Sequence, residues 1–269
     1  MRENSRAAAG RGMWALPRPG MGCIPVLRRN FLVWRKTALT TILGDVMDPM
    51  VMLLALGYGL GSLLPGVEGV PYVTFLAAGS ICMGSLYAAT FEATYSTFSR
   101  LHIQRSWDAM LNTPLSLDDV VLAEVLWAAA KSMKSGIAIL LVVIALDISR
   151  APTLAWVPLV VALIGLSFAA LALVMSALAK SFDFFLYYFT LGVTPMVFLS
   201  GVFFPVSQLP DGLVHVVRLL PLASAVELVR PLVLGRVPEQ VWPQVLHLAA
   251  TAVAATWLAT ALMRRRLLR

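Results

Sequence analysis

Apolar residues run along this chain in long unbroken stretches, not in strict alternation with polar ones. Six stretches come near the roughly 20 residues a helix needs to cross about 30 Å of hydrocarbon. They lie near 42–64, 72–98, 120–146, 154–179, 184–206 and 241–263. Lipid offers no partner to an open backbone, and the runs lack the dyad period of a membrane barrel, so each predicts a helix. The fourth and fifth are the clearest, because residues 151–179 and 184–206 contain no charge.

Three intervening segments are amphipathic. In GCIPVLRRNFLVWRKTAL, Ile24, Leu27, Phe31 and Trp34 form an apolar face set against Arg28, Arg29, Arg35 and Lys36. That pattern predicts a helix lying flat on a leaflet with its cations at the headgroups, either as an anchor for the first span or as a force-transmitting element. In 99–127, Leu101, Ile103, Trp107, Met110 and Leu111 predict a short amphipathic helix closed by Asn112 and Pro114. Ser116 to the acids at 118 and 119 then reads as the N-cap of the next helix. An exposed aromatic on such a short helix suits docking in a partner's groove, while an ordinary interfacial loop is the alternative. In SGVFFPVSQLPDGLVHVVRLLP, Gly201, Pro205 and Pro210 interrupt apolar sequence. Asp211, His215 and Arg218 then fall on one stripe, and Glu227 and Arg230 follow at i, i+3 before Pro231.

Composition agrees with a bilayer: 59% of the 269 residues are hydrophobic and 13% charged, about half the charged share of a soluble domain. The net charge of +7 does not indicate nucleic acid, because the basic residues gather at the ends of apolar runs and form no aromatic-interleaved stripe. Membrane orientation accounts for it better. Eight of the basic residues precede residue 37, and Arg100, Arg105, Lys180, Arg264, Arg265, Arg266 and Arg269 join them on one side of a six-span chain. Arg150, Arg218, Arg230 and Arg236 face the other, which predicts that both termini are cytoplasmic. Residues 1–21, rich in Arg, Gly and Pro and without a signal-peptide centre, are expected to be a disordered basic tail before a membrane domain at 22–269. Cys23 and Cys82 imply neither a disulfide framework nor a metal site.

Charges within the spans are costly unless paired or wetted, so they are the candidates for function. Glu124, Trp127, Lys131 and Lys134 share one face of the third span, Glu92 lies in the second, and Asp45 and Asp48 open the first. These faces can line the inner mouth of a polar route, or they can be structural salt bridges with the lysines reaching the interface. The small-residue pairs Gly57/Gly61 and Ser80/Gly84 read as close helix packing. Nothing points to catalysis. There is no GxSxG or HExxH motif, His102, His215 and His247 fall on different elements, and Lys36, Lys131, Lys134 and Lys180 do not follow a glycine as a Walker A lysine does.

The order of elements resembles the type-2 ABC exporter permeases over residues 22–269. It comprises a basic interfacial helix, six spans, the segment RSWDAMLNTPLSLDD, and a fifth span running into FLSGVFFPVSQLPDGLVHVVRLLPLASAVELVRPLVLG. Within that family, ILGDVMDPMVMLLALGYGLG is most similar to the lipooligosaccharide exporter group of nodulation protein J. The resemblance implies an all-α integral membrane fold with six transmembrane helices, an N-terminal interfacial helix and a re-entrant helical hairpin before the last span. That hairpin would be an outer gate at Gly201, Pro205, Pro210, His215, Arg218, Glu227 and Arg230. It also implies a homodimer in the bacterial inner membrane that exports an amphipathic glycolipid and is not itself an enzyme. It further implies that this chain binds no cofactor and that ATP and Mg belong to a cognate ABC ATPase subunit. That subunit is expected at Arg105, Trp107, Met110, Leu111 and Pro114, or at the helix of Arg28, Arg29, Trp34 and Arg35. The alternatives are an integral-membrane enzyme acting on lipid-linked intermediates and a membrane scaffold.

Overall fold

The computed structural model describes residues 14–18, 20–63 and 66–267. Among them every regular element beyond one isolated bridge, Val67 with Val70, is helical. Helix α1 (Cys23–Trp34) precedes α2 (Ala38–Met52), which continues as a π-helical stretch, Leu53–Gly59, and a 3-10 turn, Leu60–Ser62. Helix α3 (Tyr72–Ile103) contains two π-helical stretches, Glu92–Ser96 and Ser99–Ile103. The short α4 (Ser106–Leu111) leads into α5 (Leu117–Ala145). Then come α6 (Pro152–Leu178), α7 (Asp183–Leu199), α8 (Asp211–Val217), α9 (Pro221–Val233) and α10 (Val241–Leu267).

Among the described residues, four helices are long and apolar enough to span a membrane: α3 with 32 residues, α5 with 29, and α6 and α10 with 27 each. At about 1.5 Å per residue the shortest of these is roughly 40 Å long. The other two expected spans are shorter as apolar helices, Met50–Ser62 and Asp183–Leu199. The fifth ends at Leu199 and not at 206, because Gly201 takes φ +79°, a left-handed turn that a helix cannot continue through. After it, α8 and α9 meet at 89°.

Helix α6 sits at the centre, packed against α10, α5 and α3. Small residues set these distances. A Cβ on Gly136 of α5 would lie 2.5 Å from Ser85 Oγ of α3 and 2.6 Å from Val161 of α6, so any other residue would push the three helices apart. Serine hydroxyls then tie the helices in pairs. Ser132 donates to Ser85 O (2.8 Å), Ser167 to Leu248 O (2.8 Å) and Ser176 to Ala93 O (2.6 Å). Their hydrogen bonds cross helices where no water competes.

The chain before α1 is held at one end of this bundle. Trp14 packs on Trp257 with centroids 5.6 Å apart, and Arg18 N and Gly20 N donate to Asp118 and Asp119. Of the segment expected to be disordered, residues 14–18 and 20 are thus in contact with α5 and α10, and residues 1–13 lie outside the described residues.

Candidate functional site

A buried charge cluster joins the lower halves of α3 and α5. Glu92, 3% exposed, accepts from Arg100 Nη1 (2.8 Å), Lys131 Nζ (2.7 Å) and Trp127 Nε1 (2.9 Å). Glu124, wholly buried, accepts from Arg100 Nε (3.0 Å) and Nη2 and from Thr97 Oγ1 (3.2 Å). Two cations thus balance two carboxylates, and every member has a partner, which burial of charge requires. The π-helical stretches on α3 help bring Glu92 and Arg100, eight residues apart, to the same side.

Next to this cluster is a cleft of about 600 Å³, lined by Glu92 and Lys131 together with Thr41 and Gly44 of α2 and Met83, Tyr87 and Phe91 of α3. A smaller cleft of about 160 Å³ shares Thr41, Glu92, Ser96 and Lys131 and runs on to Asn30 and Trp34 of α1. There Trp34 meets Trp127 edge-on at 6.3 Å, and Lys134 Nζ lies 5.5 Å from the Trp34 ring centroid. Of the expected pathway residues, the structure brings Glu92 and Lys131 together and sets Lys134 against α1. Asp45 and Asp48 fall on α2, but their side chains lie outside the described residues.

At the opposite end, Arg230 of α9 donates from Nη2 to Gly201 O, and its guanidinium carbon lies 3.7 Å from the centroid of the Phe75 ring. Tyr72 Oη donates to Phe203 O (3.2 Å), so two side chains hold the segment leaving α7. Pro205 is buried, Pro210 is the N-cap of α8, and His215 and Arg218 are exposed. Glu227 accepts from Gln244 Nε2 of α10 (2.8 Å), and Ser224 Oγ pairs with His247 Nδ1 (2.8 Å).

A family model described as ABC-2 type transporter matches residues 23–234, from the start of α1 to just past α9. The chain belongs to this family. Nodulation protein J of Rhizobium meliloti (strain 1021) is 44% identical over 254 residues, covering 94% of this chain and 97% of the relative. Nodulation protein J of Rhizobium leguminosarum bv. trifolii is 44% identical over 261 residues, covering 97% and 100%. A more distant relative, inner membrane transport permease YadH of Escherichia coli (strain K12), is 23% identical over 192 residues, 70% of this chain and 73% of its own length. The chain is therefore a multi-pass membrane permease of the ABC-2 type, and its chemistry is transport.

In this ABC-2 permease the segment 100–114 differs from its expected form. Trp107 is not exposed: it is wholly buried, and Met110 nearly so, because the apolar side of α4 turns inward and joins the core with Leu101, Leu117 and Val121. Leu111 is half-buried, while Arg105 and Pro114 are exposed. Arg105 itself adopts φ +47°, the sharp turn that folds α4 back on the bundle. The surface left to a partner is mostly polar, Gln104, Arg105, Asp108, Asn112 and Thr113, with Ile103 as its large exposed apolar residue. In α1, Arg28 and Arg35 are exposed, Arg29 donates to Asn30 Oδ1 (3.1 Å) and Trp34 is half-buried. Two residues carry more than their sequence context suggested. Arg100, noted only as a topological charge, bridges both buried glutamates. Arg264 of α10, read as one of a tail cluster, is 8% exposed and grips Asp118 at 2.7, 2.8 and 3.1 Å. Neither pairing has a local spacing in the sequence from which to read it.

Proposed function

We propose that this permease is the membrane subunit of an ATP-driven exporter of an amphipathic, lipid-linked saccharide. The observation that supports this best is the cleft lined by Glu92 and Lys131, whose lining combines these charges with the apolar Met83 and Phe91. An amphiphile needs both at once: polar groups to replace the headgroup's water and apolar surface for its chains. The near-complete alignment with proteins named for nodulation supports a related cargo, in keeping with the lipooligosaccharide group that the first helix resembles. In this reading α2 and α7 complete six crossings, the chain lies in the inner membrane with both ends in the cytoplasm, and it works as a homodimer. The bent pair α8 and α9 re-enters the outer leaflet as a gate. A separate ATPase binds Mg and ATP and docks on the polar edge of α4 and on α1.

The test is transport in inside-out vesicles containing the permease and its ATPase. Accumulation of a lipid-linked oligosaccharide that needs ATP and both subunits is the expected result. ATP-independent accumulation, or chemical alteration of the lipid-linked saccharide by the permease alone, would overturn the reading in favour of another carrier or of a membrane enzyme.

A further inference from the structure

The end of the bundle that carries α8 and α9 holds a second cleft, of about 720 Å³, between α9, the start of α10 and the turn containing Glu68. It shares no lining residue with the clefts beside the charge cluster. Its volume falls within the span of roughly 300 to 1,000 Å³ common to small-molecule sites. Three arginines line it, Arg218, Arg230 and Arg236, with three glutamates, Glu68, Glu227 and Glu239. No ion pair joins these six among the described residues. The remaining polar lining is Ser224, Gln240, Gln244 and His247.

Hydrogen-bonding capacity of both kinds is left over here. Arg230 makes its bond to Gly201 O, yet its Nε donor has no partner, and Gln244 gives its amide N–H to Glu227 while its Oε1 acceptor has none. A carboxylate or phosphate would meet three glutamates, an ammonium would meet three arginines, and an acyl chain would strip water from all six. A hydroxyl donates and accepts at once, so a polyhydroxylated ligand satisfies such mixed walls without importing charge. We propose that this cleft binds an uncharged saccharide, the headgroup of the cargo, as it leaves beside the α8–α9 hairpin. The inference rests on the reading of the chain as an exporter of lipid-linked saccharide and adds where the sugar is held.

Purified permease in lipid nanodiscs, titrated with a lipid-free neutral tetrasaccharide and with a tetrasaccharide of uronic acids, tests it by saturation-transfer NMR. The neutral probe is expected to saturate, and the uronate to bind at least tenfold more weakly. Gln244→Ala and, independently, Arg236→Gln are expected to weaken the neutral probe at least tenfold with an unchanged thermal midpoint. Arg236 is exposed, so its change does not disturb packing. No saturable binding of the neutral probe, equal binding by both variants, or displacement by inorganic phosphate would overturn the proposal. A permease that exports in vesicles but binds no free saccharide loses the cleft alone. One that binds saccharide but supports no ATP-driven export loses the exporter reading alone.

Discussion

Arg100 reaches Glu92 and Glu124 with one guanidinium, and that sharing makes it the residue whose loss costs most in the cluster. Arg100→Ala leaves two carboxylates buried with only Lys131, Trp127 and Thr97 as partners, and breaking a buried pair typically costs about 3–5 kcal/mol. The expected outcome is a large drop in the thermal midpoint of the detergent-solubilised protein. Arg100→Lys is expected to recover little of it, since an ammonium cannot span both acids with a planar fork. Glu92 and Lys131 touch, so their double mutant cycle, Glu92→Gln with Lys131→Met, is expected to show a coupling of about 0.5–3 kcal/mol. Additive losses would mean that the 2.7 Å pair seen here does not persist in solution. The sequence placed Glu92, Glu124 and Lys131 on helix faces because 3- and 4-residue spacings are visible in it. It left open whether they line a route or pair with each other, since pairing depends on how α3 and α5 rotate about their axes. The structure pairs the carboxylates, and Glu92 and Lys131 also line an open cleft.

Helix α4 was legible as an element and misread as a surface. Its stop at Asn112 and the capping box of Ser116 with Asp119 follow from local chemistry, and both are present. Which side of a six-residue helix faces inward is set instead by the left-handed turn at Arg105 and by the apolar surface of α5. Trp107→Ala is therefore expected to act through packing: removing a wholly buried indole costs about 3–5 kcal/mol, and the variant should unfold earlier whether or not an ATPase is present. A docking test belongs on the exposed edge. Asp108→Arg combined with Asn112→Arg is expected to keep the thermal midpoint within a degree or two of the parent and to lower recovery of the ATPase in pull-downs. Full recovery would move the docking surface to α1, where Arg28 and Arg35 are exposed. The hairpin gives a parallel case. Gly201 and Pro205 were readable as breaks, but the tether from Arg230 to Gly201 O spans 29 residues and two turns, beyond the reach of any local pattern.

For the whole molecule, apolar length marked where helices form, and it marks four spans outright in α3, α5, α6 and α10. The first and fifth stretches are less decisive, because Asp45 and Asp48 shorten the apolar part of one and Gly201 ends the other at Leu199. Charge supplies the prediction of how these two stretches cross. Fifteen basic residues on one side of a six-span chain against four on the other define an orientation in which even-numbered spans exit to the cytoplasm. The buried ends agree with the pairing this demands: Arg264, near the end of the last helix, grips Asp118 at the start of α5, so the chain's tail and the α4–α5 segment share one end of the bundle. Across the bundle, Ser149 and Thr153 donate to Val233 O (2.6 Å) and Leu232 O (2.5 Å), which sets the α5–α6 turn beside the α9 terminus at the other end. Single cysteines at positions 66, 105, 212 and 268, in a background with Cys23 and Cys82 replaced, read out the result in intact cells. Positions 66 and 212 are expected to react with an impermeant maleimide added outside, and 105 and 268 only after the membrane is opened. Were α7 to lie within one leaflet without crossing, position 212 would be protected while 66 still reacted. External labelling at 105 would overturn a cytoplasmic start followed by crossings in α2 and α3, because two crossings from the cytoplasm return residue 105 to the inside.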